Sequence, residues 1–200
     1  MSTIFLDRDG VINENQSDYV KSWNEFRFLP GSLEAIAKLT QAGHRIIVCT
    51  NQAGVARGSL TVEVVEEIHR QMVAAIAEAG GVIEKVYYCP HSIDENCACR
   101  KPRPGMLLRA RDELGLDMSD AVFIGDSITD VRAAIAAGIH AVLVLTGLGM
   151  EQFRKYHHEA KGLFRIAMNL KQATEVVLEE LHISKAMQGS LKHAAYLLPV

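Results

Sequence analysis

Short apolar runs alternate with longer segments that place apolar residues every three or four positions. That alternation predicts an α/β fold: a doubly wound, Rossmann-like parallel sheet with helices on both faces. Two further observations agree. Glycine closes the helical segments at Gly43, Gly80, Gly115 and Gly138, where a helix C-terminus favours a left-handed residue. Polar clusters directly follow the apolar runs, which is where open α/β sheets bind ligands.

The elements read in order as follows. "TIFL" (3–6) is the first strand, and residues 13–30, with Trp23, Phe26, Phe28 and Pro30, form a packed flap. "SLEAIAKLTQAG" (32–43) is a helix with Ser32 as its N-cap, and "RIIVC" (45–49) is the second strand. The long helix 61–80 takes Thr61 as N-cap and leads to "KVYYC" (85–89). Residues 89–104 break the rhythm with a cysteine-bearing loop; a loop this long in a compact fold is usually functional or disordered. "GMLLRARDELG" (105–115), "AVFIG" (121–125), "TDVRAAIAAG" (129–138) and "AVLVL" (141–145) continue the alternation. "LFRIAMN" (163–169) and "LKQATEVVLEEL" (170–181) extend it. Residues 1–182 are expected to form one domain with no large cap domain, and 183–200 a tail without pattern.

The chain has 200 residues, 48% hydrophobic and 22% charged, with a net charge of −3. A balance this close to neutral supplies no basic field for nucleic acid or anionic membrane, so local Lys and Arg must hold any anionic substrate. No apolar stretch approaches the ~20 residues that cross a bilayer, and no secretory leader is visible. The expectation is a cytoplasmic monomer that acts on a small molecule, with no nucleic-acid or membrane partner.

Three strand ends carry chemistry. Asp7 and Asp9 follow the first strand, Thr50, Asn51 and Gln52 the second, and Asp126, Ser127 and Asp130 the strand at 121–125. Any one Asp alone is more simply a cap or a turn residue. Together, after neighbouring strands, they converge on one mouth that also receives Arg100 and Lys101. Oxygen ligands of this kind suit Mg²⁺, which binds through one or two carboxylates, water and substrate phosphate. Asp7 and Asp126 supply carboxylates, Asp9 its carbonyl, and Ser127 its backbone or hydroxyl nearby. Lys101, Thr50 and Asn51 then face the remaining phosphate oxygens. Arg57, in a glycine-flanked loop after the second strand, is a candidate second phosphate contact.

Of four cysteines, Cys89, Cys97 and Cys99 crowd together with His91 in Cys-x-His-x5-Cys-x-Cys. Three thiolates and an imidazole form a closed tetrahedral set for structural Zn²⁺, the alternative being free thiols. This zinc loop, 89–101, runs directly into Arg100 and Lys101. Cys49, inside an apolar strand, reads as a small buried hydrophobe.

"DRDGVIN", "TNQAGVARG", "YYCPH", "CRKPRPGML" and "GDS" together resemble the haloacid dehalogenase-like (HAD) phosphohydrolases, within them the histidinol-phosphatase-related zinc-loop group. The resemblance covers about residues 3–182. It implies Mg²⁺-dependent hydrolysis of a phosphate monoester, with Asp7 as the nucleophile and Asp9 as acid and then base. Related ATPases carry Thr in place of Asp9, so Asp9 points to hydrolysis. The resemblance further implies catalytic roles for Thr50, Arg100 and Lys101. It places Arg8, Asn15, Gln16, Ser17, Asp18, Asn51, Gln52, Ala53 and Arg57 near the substrate. That substrate is a sugar bisphosphate, with histidinol phosphate as the alternative. A zinc-stabilised, non-catalytic interaction module is the reading from another class. "TGLGM" (146–150) lacks a full dinucleotide fingerprint and is set aside as a nucleotide site.

Overall fold

A computed structural model describes residues 1–156, 158 and 164–180. The expected tail 183–200, the start of the 163–169 strand and the end of the last helix lie outside those residues.

Six parallel strands form one sheet in the order β3-β2-β1-β4-β5-β6. They are β1 (Thr3–Leu6), β2 (Arg45–Asn51), β3 (Lys85–Cys89), β4 (Val122–Gly125), β5 (His140–Val144) and β6 (Arg165–Ala167). The helices are α1 (Ser32–Gln41), α2 (Val62–Glu78), α3 (Gly105–Leu114), α4 (Ile128–Ala136), α5 (Gly149–Tyr156) and α6 (170–180). A short 3-10 turn, Trp23–Glu25, sits in the flap. Strand order reverses between β1 and β4, which pair directly with Phe5 opposite Phe123. At such a switch point the loops leaving the two strands diverge and open a crevice.

The period-2 alternation of strands divides the core. Ile4 and Leu6 of β1 join one buried cluster with residues of α1, α2 and α6. Phe5 joins the other, with residues of α3 and α4 and Phe153 of α5 packed against it. Helices thus cover both faces, as the near-continuous apolar strands require. The flap is anchored by Trp23, Phe26 and Phe28, whose rings stack or meet edge-on at 4.8–6.1 Å. Among the described residues no helix is long and apolar enough to cross a membrane.

Three local expectations need correction. The N-cap of α1 is Gly31, at φ 79°, and Ser32 is already helical and buried. The Ser32 hydroxyl faces a packed interior, so the turn depends on the left-handed glycine. Thr61 does cap α2, accepting from the Val64 amide. β2 runs to Asn51, two residues further than the apolar run, because pairing with β3 carries Thr50 and Asn51 in register with Tyr88 and Cys89. Helix α5 starts inside "TGLGM", a helix the apolar periodicity did not reveal.

Candidate active site

Asp7 is the first residue beyond β1, and its amide still donates to the Ile124 carbonyl of β4 at 3.0 Å. The nucleophile candidate is therefore fixed by the sheet itself. Lys101 arrives from the zinc loop and is 4% exposed. Its Nζ lies 2.9 Å from Asp7 Oδ1 and 2.6 Å from Asp130 Oδ1, and donates to the Cys49 carbonyl at 2.9 Å. Asn51 clasps the same lysine by its backbone. It donates from Nδ2 to the Lys101 carbonyl at 3.2 Å and accepts the Lys101 amide at 3.1 Å. Burial alone would discharge Lys101, but the Asp130 and Asp7 carboxylates outweigh it and hold the ammonium well above its usual range.

Burial pushes Asp7 up to about 6, with Lys101 opposing and Asp130 adding to the rise. Asp126 is raised well above the usual carboxylate value, first by burial and then by the charges of Asp7 and Asp130. Three carboxylates offering ligand atoms within 4.8 Å of one another create a demand for a cation that one lysine does not meet. Their roles differ. Asp130 gives Oδ2 to the Ser127 amide in a capping box and Oδ1 to Lys101. Asp126 uses Oδ2 on the Leu148 amide at 2.8 Å, which leaves Oδ1 for a cation. Asp7 and Asp126 are the carboxylate pair suited to Mg²⁺, and Asp130 is the partner of Lys101.

Asp9 stands in a different environment. Arg8 grips it through Nη2, 2.9 Å from both oxygens, and Nε, 3.2 Å from Oδ1. Asn13 donates to Oδ1 at 2.8 Å and Gln52 to Oδ2 at 2.9 Å. Burial raises its pKa, yet Arg8, Asn13 and Gln52 outweigh it and hold Asp9 below the usual value. Gln52 Nε2 also donates to the Thr50 hydroxyl at 3.0 Å, which ties the ends of β1 and β2 together.

These groups surround a cavity of ≈ 190 Å³ lined by Asp7, Asp9, Thr50, Asn51, Lys101, Asp126 and Ser127, with Asn15, Gln16 and Tyr19 from the flap. Several expected substrate contacts fall elsewhere. Arg8, Gln52 and Ala53 are buried, and none lines the cavity. Arg8 and Gln52 instead hold Asp9 from behind, because an acidic residue beside a strand end needs donors that water cannot supply. Ser17 and Asp18 line an adjoining groove on the flap, which shares Gln16 and Tyr19 with the cavity, and Asp18 pairs with Lys21 at 3.0 Å. Arg57 is exposed and stacks over the Tyr19 ring at 5.9 Å, outside the cavity lining. Arg100 donates to the His91 carbonyl at 3.2 Å and lines an adjoining cavity of ≈ 310 Å³, which shares Asn51, Lys101 and Thr129 with the first.

Cys89 Sγ, His91 Nδ1, Cys97 Sγ and Cys99 Sγ converge with separations of 3.2–3.5 Å. A tetrahedral zinc with ~2.3 Å bonds to sulfur sets its donors about 3.8 Å apart. The quartet therefore fits after widening by a few tenths of an ångström. Arg103 braces this loop through the carbonyls of Asn96 and Cys97. Cys49 is buried and free, its thiol pushed up by burial, as its apolar setting implies.

Sequence reasoning passed over Asn13, His69, Gly10 and Gly147. Gly10 and Gly147 take φ of +79° and +56°, and a Cβ on either would meet Asp126 Oδ2 at 1.9 or 2.1 Å. "DRDG" held the signal for Gly10, since a glycine after a paired carboxylate marks a tight turn. "TGLGM" held it for Gly147, whose loop closes on Asp126 and sends the Thr146 hydroxyl to the Gly10 carbonyl at 2.7 Å.

A switch-point cavity that gathers Asp7, Asp126 and Asp130 around a buried lysine has the groups that a phosphoryl-transfer hydrolase of the HAD-like class needs. The HAD-hydrolase-like family model matches residues 98–173. The chain is 46% identical over 154 residues to D-glycero-beta-D-manno-heptose-1,7-bisphosphate 7-phosphatase of Pseudomonas aeruginosa, covering 77% of this chain and 86% of that one. It is 38% identical over 180 residues to the protein of the same name from Neisseria meningitidis, covering 90% and 96%. The D,D-heptose 1,7-bisphosphate phosphatase of B. bronchiseptica, solved with magnesium and phosphate, superposes with a TM-score of 0.83 at 40% identity, covering 90% of this chain and 99% of that one. The chain belongs to the D-glycero-beta-D-manno-heptose-1,7-bisphosphate 7-phosphatase family of HAD-like hydrolases.

Proposed function

We propose that this chain is a Mg²⁺-dependent phosphatase that removes the 7-phosphate of D-glycero-D-manno-heptose 1,7-bisphosphate, in nucleotide-activated heptose biosynthesis. The observation that carries the reading is the meeting of Asp7, Lys101 and Asp126 at the switch point, in a chain so similar to enzymes of that name. Arg8, Asn13 and Gln52 hold Asp9 ionised in the free site, so it takes a proton from solvent as the phosphate dianion arrives beside it. An Asp7 carboxylate oxygen then attacks phosphorus, the bond from phosphorus to the sugar oxygen breaks, and Asp9 gives that oxygen its proton. Asp9, now a carboxylate, takes a proton from water. The water oxygen displaces Asp7 from phosphorus, releasing inorganic phosphate and returning Asp9 to its protonated form. Lys101 and Thr50 face the transferred group, and the Asn51 clasp keeps the lysine there. Asp7, the Asp9 carbonyl and Asp126, beside Ser127, would hold Mg²⁺, which would supply neutralising charge between nucleophile and phosphate.

Zn²⁺ on Cys89, His91, Cys97 and Cys99 is structural in this reading, because four protein donors leave no open position for water. Bound there, it would hold the backbone that delivers Arg100 and Lys101. Asn15 and Gln16 face the sugar from the flap. Four thiols without a disulfide suit a reducing cytoplasm.

Phosphate release with Mg²⁺ from the β- and α-anomers of the heptose bisphosphate and from histidinol phosphate tests the assignment. The expected order puts the β-anomer first, as in the relatives' name. Preference for histidinol phosphate would overturn the sugar assignment and leave the phosphatase intact.

A further inference from the structure

Behind the cavity, Arg8 is 1% exposed and carries five N–H donors with no acceptor of its own. Its Nε and Nη2 are taken by Asp9 and Gln52. Its Nη1 meets His69 Nε2 of α2 at 3.1 Å. Since arginine can only donate, His69 must accept at Nε2 and carry its proton on Nδ1. Burial first, and the Arg8 charge second, push the His69 pKa down to about 3, so the ring stays neutral and able to accept. The ring also packs on Tyr88 at 5.5 Å, whose hydroxyl donates to Glu66 Oε1 at 3.1 Å. A line of contacts therefore runs from the body of α2 to the carboxylate of Asp9.

We propose that His69 is a positioning residue for Asp9: by holding Arg8 Nη1 it fixes the guanidinium whose other edge orients the acid and base of the reaction. The proposal rests on the reading of Asp9 as proton donor. His69 touches neither cavity nor substrate, and its effect is exerted wholly through Arg8. Without an acceptor, a buried N–H is left unsatisfied, and the guanidinium must turn to find one. The two-oxygen grip on Asp9 then loosens.

The test uses the intact enzyme with its metals. With heptose bisphosphate, whose alkoxide leaving group needs a proton, His69→Phe should lower kcat by about 10- to 100-fold, the scale of an ångström-level misplacement. KM should stay within about twofold of wild type. In the first turnover with 4-nitrophenyl phosphate, whose leaving group needs no proton, the rate should change less than about threefold. His69→Gln reaches the Nε2 position and should restore kcat, while His69→Asn is too short and should not. Placed on Asp9→Asn, His69→Phe should cost nothing further. Equal losses for Gln and Asn, equal losses on both substrates, or additive effects with Asp9→Asn would each overturn the proposal. If Asp9→Asn itself shows no dependence on the leaving group, the acid role of Asp9 fails first and is seen to fail separately.

Discussion

Gly147→Ala probes the closure of the late loop on Asp126, a carboxylate proposed to hold Mg²⁺. The backbone there has φ +56°, and an added Cβ would lie 2.1 Å from Asp126 Oδ2 and 2.5 Å from Gly10 Cα. Real Cβ contacts stay beyond 3.0 Å, so Asp126 and the Gly10 turn must together retreat by roughly an ångström. A left-handed conformation adds about 1–2 kcal/mol for an L-residue, worth a few degrees in Tm for a domain of this size. An ångström of misplacement costs about 100-fold in rate, or about 2.7 kcal/mol of barrier. We therefore expect kcat to fall about 100-fold and the Mg²⁺ concentration for half-activation to rise, with only a modest loss in Tm. Steady-state phosphate release across a Mg²⁺ titration reads the first two, and thermal unfolding the third. Gly43→Ala is the control: it has φ +78° but nothing within 4 Å of the added Cβ, so it should share the backbone cost and keep full activity. A Gly147→Ala enzyme with wild-type kcat and Mg²⁺ dependence would refute the placement of Asp126.

Asp7→Asn should abolish turnover while leaving fold and metal content intact; recovery of more than about a hundredth of the wild-type rate would remove Asp7 as nucleophile. Burial raises Asp7 from the ordinary 3.8 to about 6, so without metal the folded state binds the extra proton and loses stability as pH rises between those values. Mg²⁺ binds the ionised form, so it should raise Tm more at pH 7 than at pH 5; an equal gain at both would contradict the shift. Cys97→Ser or Cys99→Ser should lower Tm and solubility together with zinc content, and elemental analysis finding no zinc in fresh reduced wild-type protein would dismiss the zinc loop. Arg100→Ala should lower kcat/KM for the bisphosphate by about 1.5–3 kcal/mol more than for a small monophosphate. Equal losses would put Arg100 on the reacting phosphate, away from the adjoining cavity it lines.

The sequence by itself determined the order and type of nearly every strand and helix, because each rests on local periodicity and a closing glycine. It also pointed to the meeting of Asp7 and Asp126, since residues that follow the ends of neighbouring parallel strands must share one rim. The Cys89, His91, Cys97 and Cys99 quartet was legible for another local reason: its side chains lie within eleven residues, so chain connectivity alone holds them close. Other relations were decided only in three dimensions. Arg8 and Gln52, next to Asp7 and Asn51 in sequence, turn inward to hold Asp9, and the side on which a side chain falls depends on what packs behind it. His69 meets Arg8 across 61 residues, Asn51 clasps Lys101 across 50, and Thr146 closes on Gly10 across 136. Such pairs leave no mark in any window of periodicity. They form only when the sheet and its helices have brought distant backbone within hydrogen-bonding distance, where buried donors and acceptors must find whatever partner the packing provides.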